Sequence, residues 1–149
     1  MFRGNHQAKV DEKGRLKIPS AFKALLDADS ITQYFITSAD GKSAEIYPLP
    51  EWEKIEQKLM KVSALDPAVQ QYLNVVNFYG QQVEIDSQGR VLLPHILRSK
   101  AKLDGEVNVM GKVKFIDVNN CDFFTTERMP SNGEISAETR QKVAAVLND

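Results

Sequence analysis

The sequence reads as an α+β protein, mainly β, built from two similar halves around one shared core. A nonapeptide pattern occurs twice, as DEKGRLKIP from Asp11 to Pro19 and as DSQGRVLLP from Asp86 to Pro94, seventy-five residues later. Around each copy, apolar residues alternate on both sides of a polar turn, which is the period of strand, turn, strand. Between the copies the apolar spacing changes to three and four, the period of helices. A half of about fifty residues buries too little surface to be comfortable alone. Two copies in one chain of 149 residues therefore point to an intramolecular pair.

The repeat extends beyond the nonapeptide. AKVDEKGRLKIPSAFKALL aligns with VEIDSQGRVLLPHILRSKA without a gap, matching Val10 with Ile85, Leu16 with Val91, Ile18 with Leu93 and Phe22 with Leu97. Gly14 and Gly89 fall where the turn needs a positive φ. Asp11 and Asp86 are placed to accept hydrogen bonds from turn amides. Pro19 and Pro94 end the second strand and open short helices predicted over 20–26 and 95–101, where a missing N–H does no harm. Each half then runs into another hairpin. In QYFITSADGKSAEIYPLP the turn is expected at Asp40–Gly41, and in EVNVMGKVKFIDV at Gly111–Lys112.

The connector between the halves reads as two helices. Residues 51–62 put Trp52, Ile55, Leu59 and Val62 on one side. Asp66–Pro67 is an N-cap followed by a first-turn proline. Val69, Tyr72, Leu73 and Val76 then give an amphipathic stripe. Both stripes read as core packing, with no cofactor box implied. After the second hairpin come a loop, MPSNGE, and a helix capped near Ser136 with Val143, Val146 and Leu147 as a modest apolar edge. The organisation expected is a first half over 1–50, a helical connector over 51–79, a second half over 80–128, and a C-terminal loop and helix over 129–149.

Bulk properties narrow the function. Hydrophobic content of 42% and charged content of 26% suit a soluble globular protein. No apolar run approaches membrane-spanning length, and the N-terminus lacks an apolar signal core. Cys121 is the only cysteine, which fits a reducing, cytoplasmic home. The net charge of −1 does not advertise a polyanion partner, but its distribution does: residues 1–26 carry +4 and residues 80–103 carry +2. Positive charge gathers around the two repeats, and a local basic surface can bind polyanions on a slightly acidic molecule.

The arginine after each turn glycine has two readings. Its planar fork of donors can grip phosphate or the O6/N7 edge of guanine. It can instead pair with the turn aspartate and lock the turn. Strand alternation puts Arg15 and Lys17 on one face and Leu16 and Ile18 on the other. With Lys13 and Lys17 beside it, Arg15 is read as a DNA contact. For Arg90, whose neighbours along the chain are not basic, both readings stay open. Other chemistry is thinly supported. Asp11 and Asp86 have no nucleophile near them to make an acid/base pair. His6 and His95 are too isolated for zinc, Cys121 has no partner, and no glycine-rich phosphate loop occurs. No enzyme, metal or cofactor is expected. The aromatics Phe2, Phe35, Tyr47, Phe123 and Phe124 exceed what one small core readily hides, so some are expected between subunits.

MFRG at the N-terminus, the doubled Asp-x-x-Gly-Arg-x-x-x-Pro, YPLPEWEKIEQKL and KLDGEVNVMGKVKF together resemble the MraZ family of bacterial transcriptional regulators, over residues 1 to about 118. The resemblance implies tandem swapped-hairpin AbrB-like units around a pseudo-twofold core, assembled into a ring. It implies a double-stranded DNA partner, namely short direct repeats ahead of the operon for division and cell-wall genes, and a cytoplasmic, nucleoid-associated site of action. By resemblance Lys13, Arg15 and Lys17 face DNA in copy one, and Arg90 holds the equivalent place in copy two. Copy two departs in having Ser87–Gln88 for Glu12–Lys13 and Leu92 for Lys17. FIDVNNCDFFTTERM stands without tryptophan where the family usually has one. The rival readings are an AbrB-like antitoxin, usually with one motif copy and a disordered toxin-binding tail, and an oligomeric scaffold that does not touch DNA.

Overall fold

The computed structural model describes residues 1–148. The first half contributes β1 (Asn5–Lys9), β2 (Arg15–Lys17), α1 (Ser20–Ala28), β3 (Gln33–Thr37) and β4 (Ala44–Pro48). The connector forms α2 (Leu49–Met60) and α3 (Pro67–Phe78). The second half repeats the first as β5 (Gln81–Glu84), β6 (Arg90–Leu92), α4 (His95–Lys100), β7 (Glu106–Gly111) and β8 (Ile116–Asn120). A short α5 (Cys121–Phe123), one π-helical turn (Phe124–Arg128) and α6 (Ala137–Leu147) complete the chain. Helices hold 39% of residues and strands 26%, so the β character lies in the core rather than in the residue count. None of these helices is long and apolar enough to cross a membrane.

The halves exchange strands. Six strands form one antiparallel sheet in the order β1-β7-β8-β4-β3-β5, and β2 pairs with β6 in a separate two-stranded ribbon. Both strands of the first hairpin thus pair with the second half: β1 with β7, β2 with β6. The reciprocal strand β5 pairs with β3. This is the swapped-hairpin architecture, and its pseudo-twofold axis passes near the Leu16–Val91 pair at the centre of the ribbon. The bonds flanking that pair match, Ile18 N–H donating to Gly89 O and Leu93 N–H to Gly14 O, both at 2.9 Å.

The repeat-matched apolar residues meet in one core. Val10, Leu16, Ile18 and Phe22 pack in a single cluster with Val91, Leu93 and Leu97, and Ile85 lies at its edge. Strand alternation supplies the rest, with Ile36, Ile46, Val107, Val109 and Val118 all facing inward. The outer sheet face is covered in two places. Under α2 and α3, Trp52 stacks on Phe35 with centroids 4.7 Å apart and Tyr47 stacks on Phe115 at 4.9 Å. Under α5 and the π-helical turn lies a polar network: Asn108 donates to Asn119, Asn119 to Asp117, and Ser43 to Asp117. Arg128 lies over the Phe123 ring at 5.2 Å, donates to Ser43 Oγ at 3.1 Å and stands 3.6 Å from both Asp117 and Asp40.

Several local expectations shift. Asp66 caps α3 by accepting from Ala68 N–H at 2.8 Å, and Ser136 caps α6 by accepting from Thr139 N–H, both as the sequence predicts. The first connector helix starts two residues earlier than predicted, where Pro50 in its first turn favours initiation, and it also ends two residues earlier, at Met60. Val62 consequently lies beyond it and is exposed. Strand β7 runs through Gly111, and the reversal occupies residues 112–115, held by an antiparallel bridge between Val113 and Phe2. Phe2 (1% exposed) and Tyr47 (9%) are buried within the chain rather than between subunits. Phe2 packs edge-on against Phe22, and Tyr47 beneath α2.

Candidate nucleic-acid interface

Each copy of the nonapeptide folds as a tight turn closed by its own aspartate. In copy one, Asp11 Oδ1 accepts from the N–H groups of Lys13 (3.0 Å) and Arg15 (2.9 Å), while Oδ2 accepts from Arg15 Nε at 2.7 Å. In copy two, Asp86 accepts from Gln88 N–H, Arg90 N–H and Arg90 Nε, all at 2.9 Å. The arginine amide bonds, with help from the guanidinium, hold both carboxyls below the usual carboxylate range. The closing glycines take φ of +83° at Gly14 and +78° at Gly89, which a residue with a Cβ adopts only at a cost.

The aspartate lock and an outward-facing arginine are compatible. Only Nε of each guanidinium is tied to the aspartate, and among the described residues the terminal nitrogens have no hydrogen-bond partner. Each side chain keeps part of its surface open, 31% for Arg15 and 24% for Arg90. The lock fixes the fork's position, and the remaining donors can meet an external acceptor.

The ribbon register brings the two copies together. Leu16 faces Val91 on the core side. On the outer side Arg15 lies opposite Leu92 and Lys17 opposite Arg90. Arg15, Lys17, Arg90 and Leu92 (52% exposed) therefore share one solvent face, with Lys13 exposed on the adjoining turn. This changes the reading of Arg90, whose basic neighbour is Lys17 of the opposite half. Sequence reasoning missed this pairing, because a neighbour across a ribbon lies far away along the chain. The repeat supplies two matched strands but does not say that they pair with each other.

The remaining candidates stay apart. His6 packs edge-on against Phe22 at 4.9 Å, His95 opens α4, and Cys121 lies beside Asn108. Among the described residues no three His, Cys, Asp or Glu side chains are grouped to hold a metal ion.

Comparison with known proteins gives concordant matches. The family model described as "MraZ protein, putative antitoxin-like" matches residues 1–74 and 79–119. A protein of Acidobacterium capsulatum named transcriptional regulator MraZ is 52% identical over 144 residues, covering 97% of each chain. One of the same name from Koribacter versatilis is 46% identical over 128 residues, covering 85% of this chain and 87% of its own. One from Thiobacillus denitrificans is 35% identical over 120 residues, covering 80% and 81%.

Proposed function

The chain belongs to the MraZ family, and from that membership we propose that it is a sequence-specific DNA-binding regulator of transcription, not an enzyme. Its targets are short direct repeats upstream of its own operon, in the division and cell-wall gene cluster. It works as a homo-oligomer, most simply a ring, at the nucleoid in the cytoplasm.

The observation that carries this reading is the outer face of the β2–β6 ribbon, where Arg15, Lys17 and Arg90 lie together over an apolar seat. A two-stranded ribbon fits the major groove of B-DNA, where an arginine fork can pair with guanine O6 and N7. The Asp11 and Asp86 locks fix each fork before binding, which reduces the ordering cost of docking. Lys13, on the exposed turn, suits a phosphate contact that positions the ribbon without reading sequence. A single ribbon makes few contacts and binds weakly. Linked ribbons on linked sites gain through effective concentration, so repeated sites and an oligomer belong together.

The test is a titration of labelled duplex carrying the chain's own upstream region, against a scrambled duplex of equal length, at two salt concentrations. Tighter binding to the upstream region, weakening as salt rises, is expected. Equal affinity for both duplexes would remove sequence specificity. Absence of binding to either would favour the scaffold reading.

A further inference from the structure

The strand exchange that builds the core also lays a basic side chain from each half across the other half's turn. Lys23 on α1 and Arg98 on α4 hold equivalent places in the repeat, seventy-five residues apart. Arg98 covers Gly14 with its guanidinium: a terminal nitrogen is the atom nearest to where a Cβ on that glycine would be, and Cζ and Cδ stand 3.0 and 3.1 Å from that point. Lys23 covers Gly89 in the equivalent place but with its aliphatic stem, Cδ and Cε both at 3.3 Å. Both glycines are buried beneath these side chains.

The two seats differ electrically. Lys23 has a carboxylate partner one helical turn on, Asp27, at 2.8 Å. The residue equivalent to Asp27 in copy two is Lys102. Arg98 is half-buried, and among the described residues it makes no ion pair and no side-chain hydrogen bond. Asp11, Glu12 and Asp104 line the same groove, but Asp11 is engaged by Arg15 and the other two stay beyond ion-pair distance. Partial burial of a guanidinium without a partner carries a desolvation cost that a bound anion would offset. Arg98 also stands at the turn that carries Lys13 and Arg15.

We propose that Arg98, although it belongs to the second half, is a DNA-backbone contact of the first turn, its guanidinium seated on Gly14 and its free donors taking a phosphate. The proposal rests on the DNA-binding reading above and adds to it a residue outside both nonapeptides. The seat on glycine matters chemically. It lets the guanidinium lie directly against the Gly14 backbone, which holds the fork in one plane while donors that no described residue engages can meet phosphate oxygens. Lys23, paired within its own helix, is not expected to contribute equally.

The experiment titrates wild type, R98M, R98K, K23M and R15A against the labelled upstream duplex and the scrambled one over a range of salt, with melting curves for each. Methionine keeps a stem over Gly14 and removes the charge. For each engaged subunit R98M is expected to weaken binding to both duplexes about tenfold and to lower the salt slope by ~0.9, with melting unchanged or slightly raised by relief of the desolvation cost. R98K is expected to restore most of the salt slope, and K23M to lose less affinity than R98M. Wild-type affinity in R98M together with weakened binding in R15A overturns the proposal and leaves the DNA-binding reading standing. A melting loss in R98M that R98K does not repair, with the salt slope unchanged, overturns it in favour of a structural seat. Failure of wild type to bind either duplex overturns the broader reading and this proposal with it.

Discussion

Arg15 carries two jobs on different atoms. Its Nε closes the turn on Asp11, and its terminal nitrogens, which no described residue engages, are the donors that the proposed DNA contact would use. Arg15→Ala is therefore expected to weaken binding to the upstream repeats by ~1–3 kcal/mol per engaged subunit if the fork reads a base edge, with a small drop in melting temperature from the lost lock. Asp11→Asn separates the jobs, because the arginine stays while the charged acceptor goes. It is expected to reduce affinity through a less fixed fork, at an unchanged salt slope. The lock also has an acid limit. With a folded pKa depressed from the ordinary 3.8, Asp11 contributes stability above that value and loses it as pH falls through the lowered one. The melting gap between wild type and Asp11→Asn should thus be present at neutral pH and close in strong acid. A gap that widens in acid would contradict the lock.

At the scale of elements, what could be read in advance was what local chemistry determines. The turns, their glycines, the Asp66 cap and the helix after each proline follow from residues within a few positions of one another. Strand pairing does not, because period-two alternation marks a buried face without naming the partner strand. That is why the Lys17–Arg90 pair and the intramolecular burial of Phe2 and Tyr47 were not legible in the sequence. The same limit hid a repulsive pair. Glu45 on β4 lies directly opposite Asp117 on β8, an arrangement that disfavours two charges. Burial, then Asp117 and Asp40, push the Glu45 carboxyl up from 4.5 to about 7, with Arg128 opposing. Folded Glu45 holds a proton that the unfolded chain releases between those values, so its contribution makes stability fall as pH rises through that window. Glu45→Gln is expected to raise the melting temperature more at about pH 8 than at about pH 5, since only the charged form is penalised. An equal gain at both would show that Glu45 is not titrating there.

For the whole molecule, the decisive feature is that neither half owns a complete core. Leu16 and Val91 are buried against each other on the pseudo-axis, so truncating either removes packing from both halves. Leu16→Ala and Val91→Ala are each expected to cost ~1–4 kcal/mol in urea unfolding, without splitting the transition in two. The stronger consequence concerns a fragment of residues 1–65. It keeps the β3–β4 hairpin but loses β7, the partner of β1, and β6, the partner of β2. Leu16, Ile18 and Phe22 would then face water. The fragment has two ways out, to remain unfolded or to pair with a second copy of itself, since each half already has the shape its counterpart requires. Sedimentation with urea titration is expected to find either no cooperative transition or a dimer whose midpoint rises with concentration. A monomer with a cooperative, concentration-independent transition would mean that the first half closes its own core, and the exchange of strands would then be dispensable for folding.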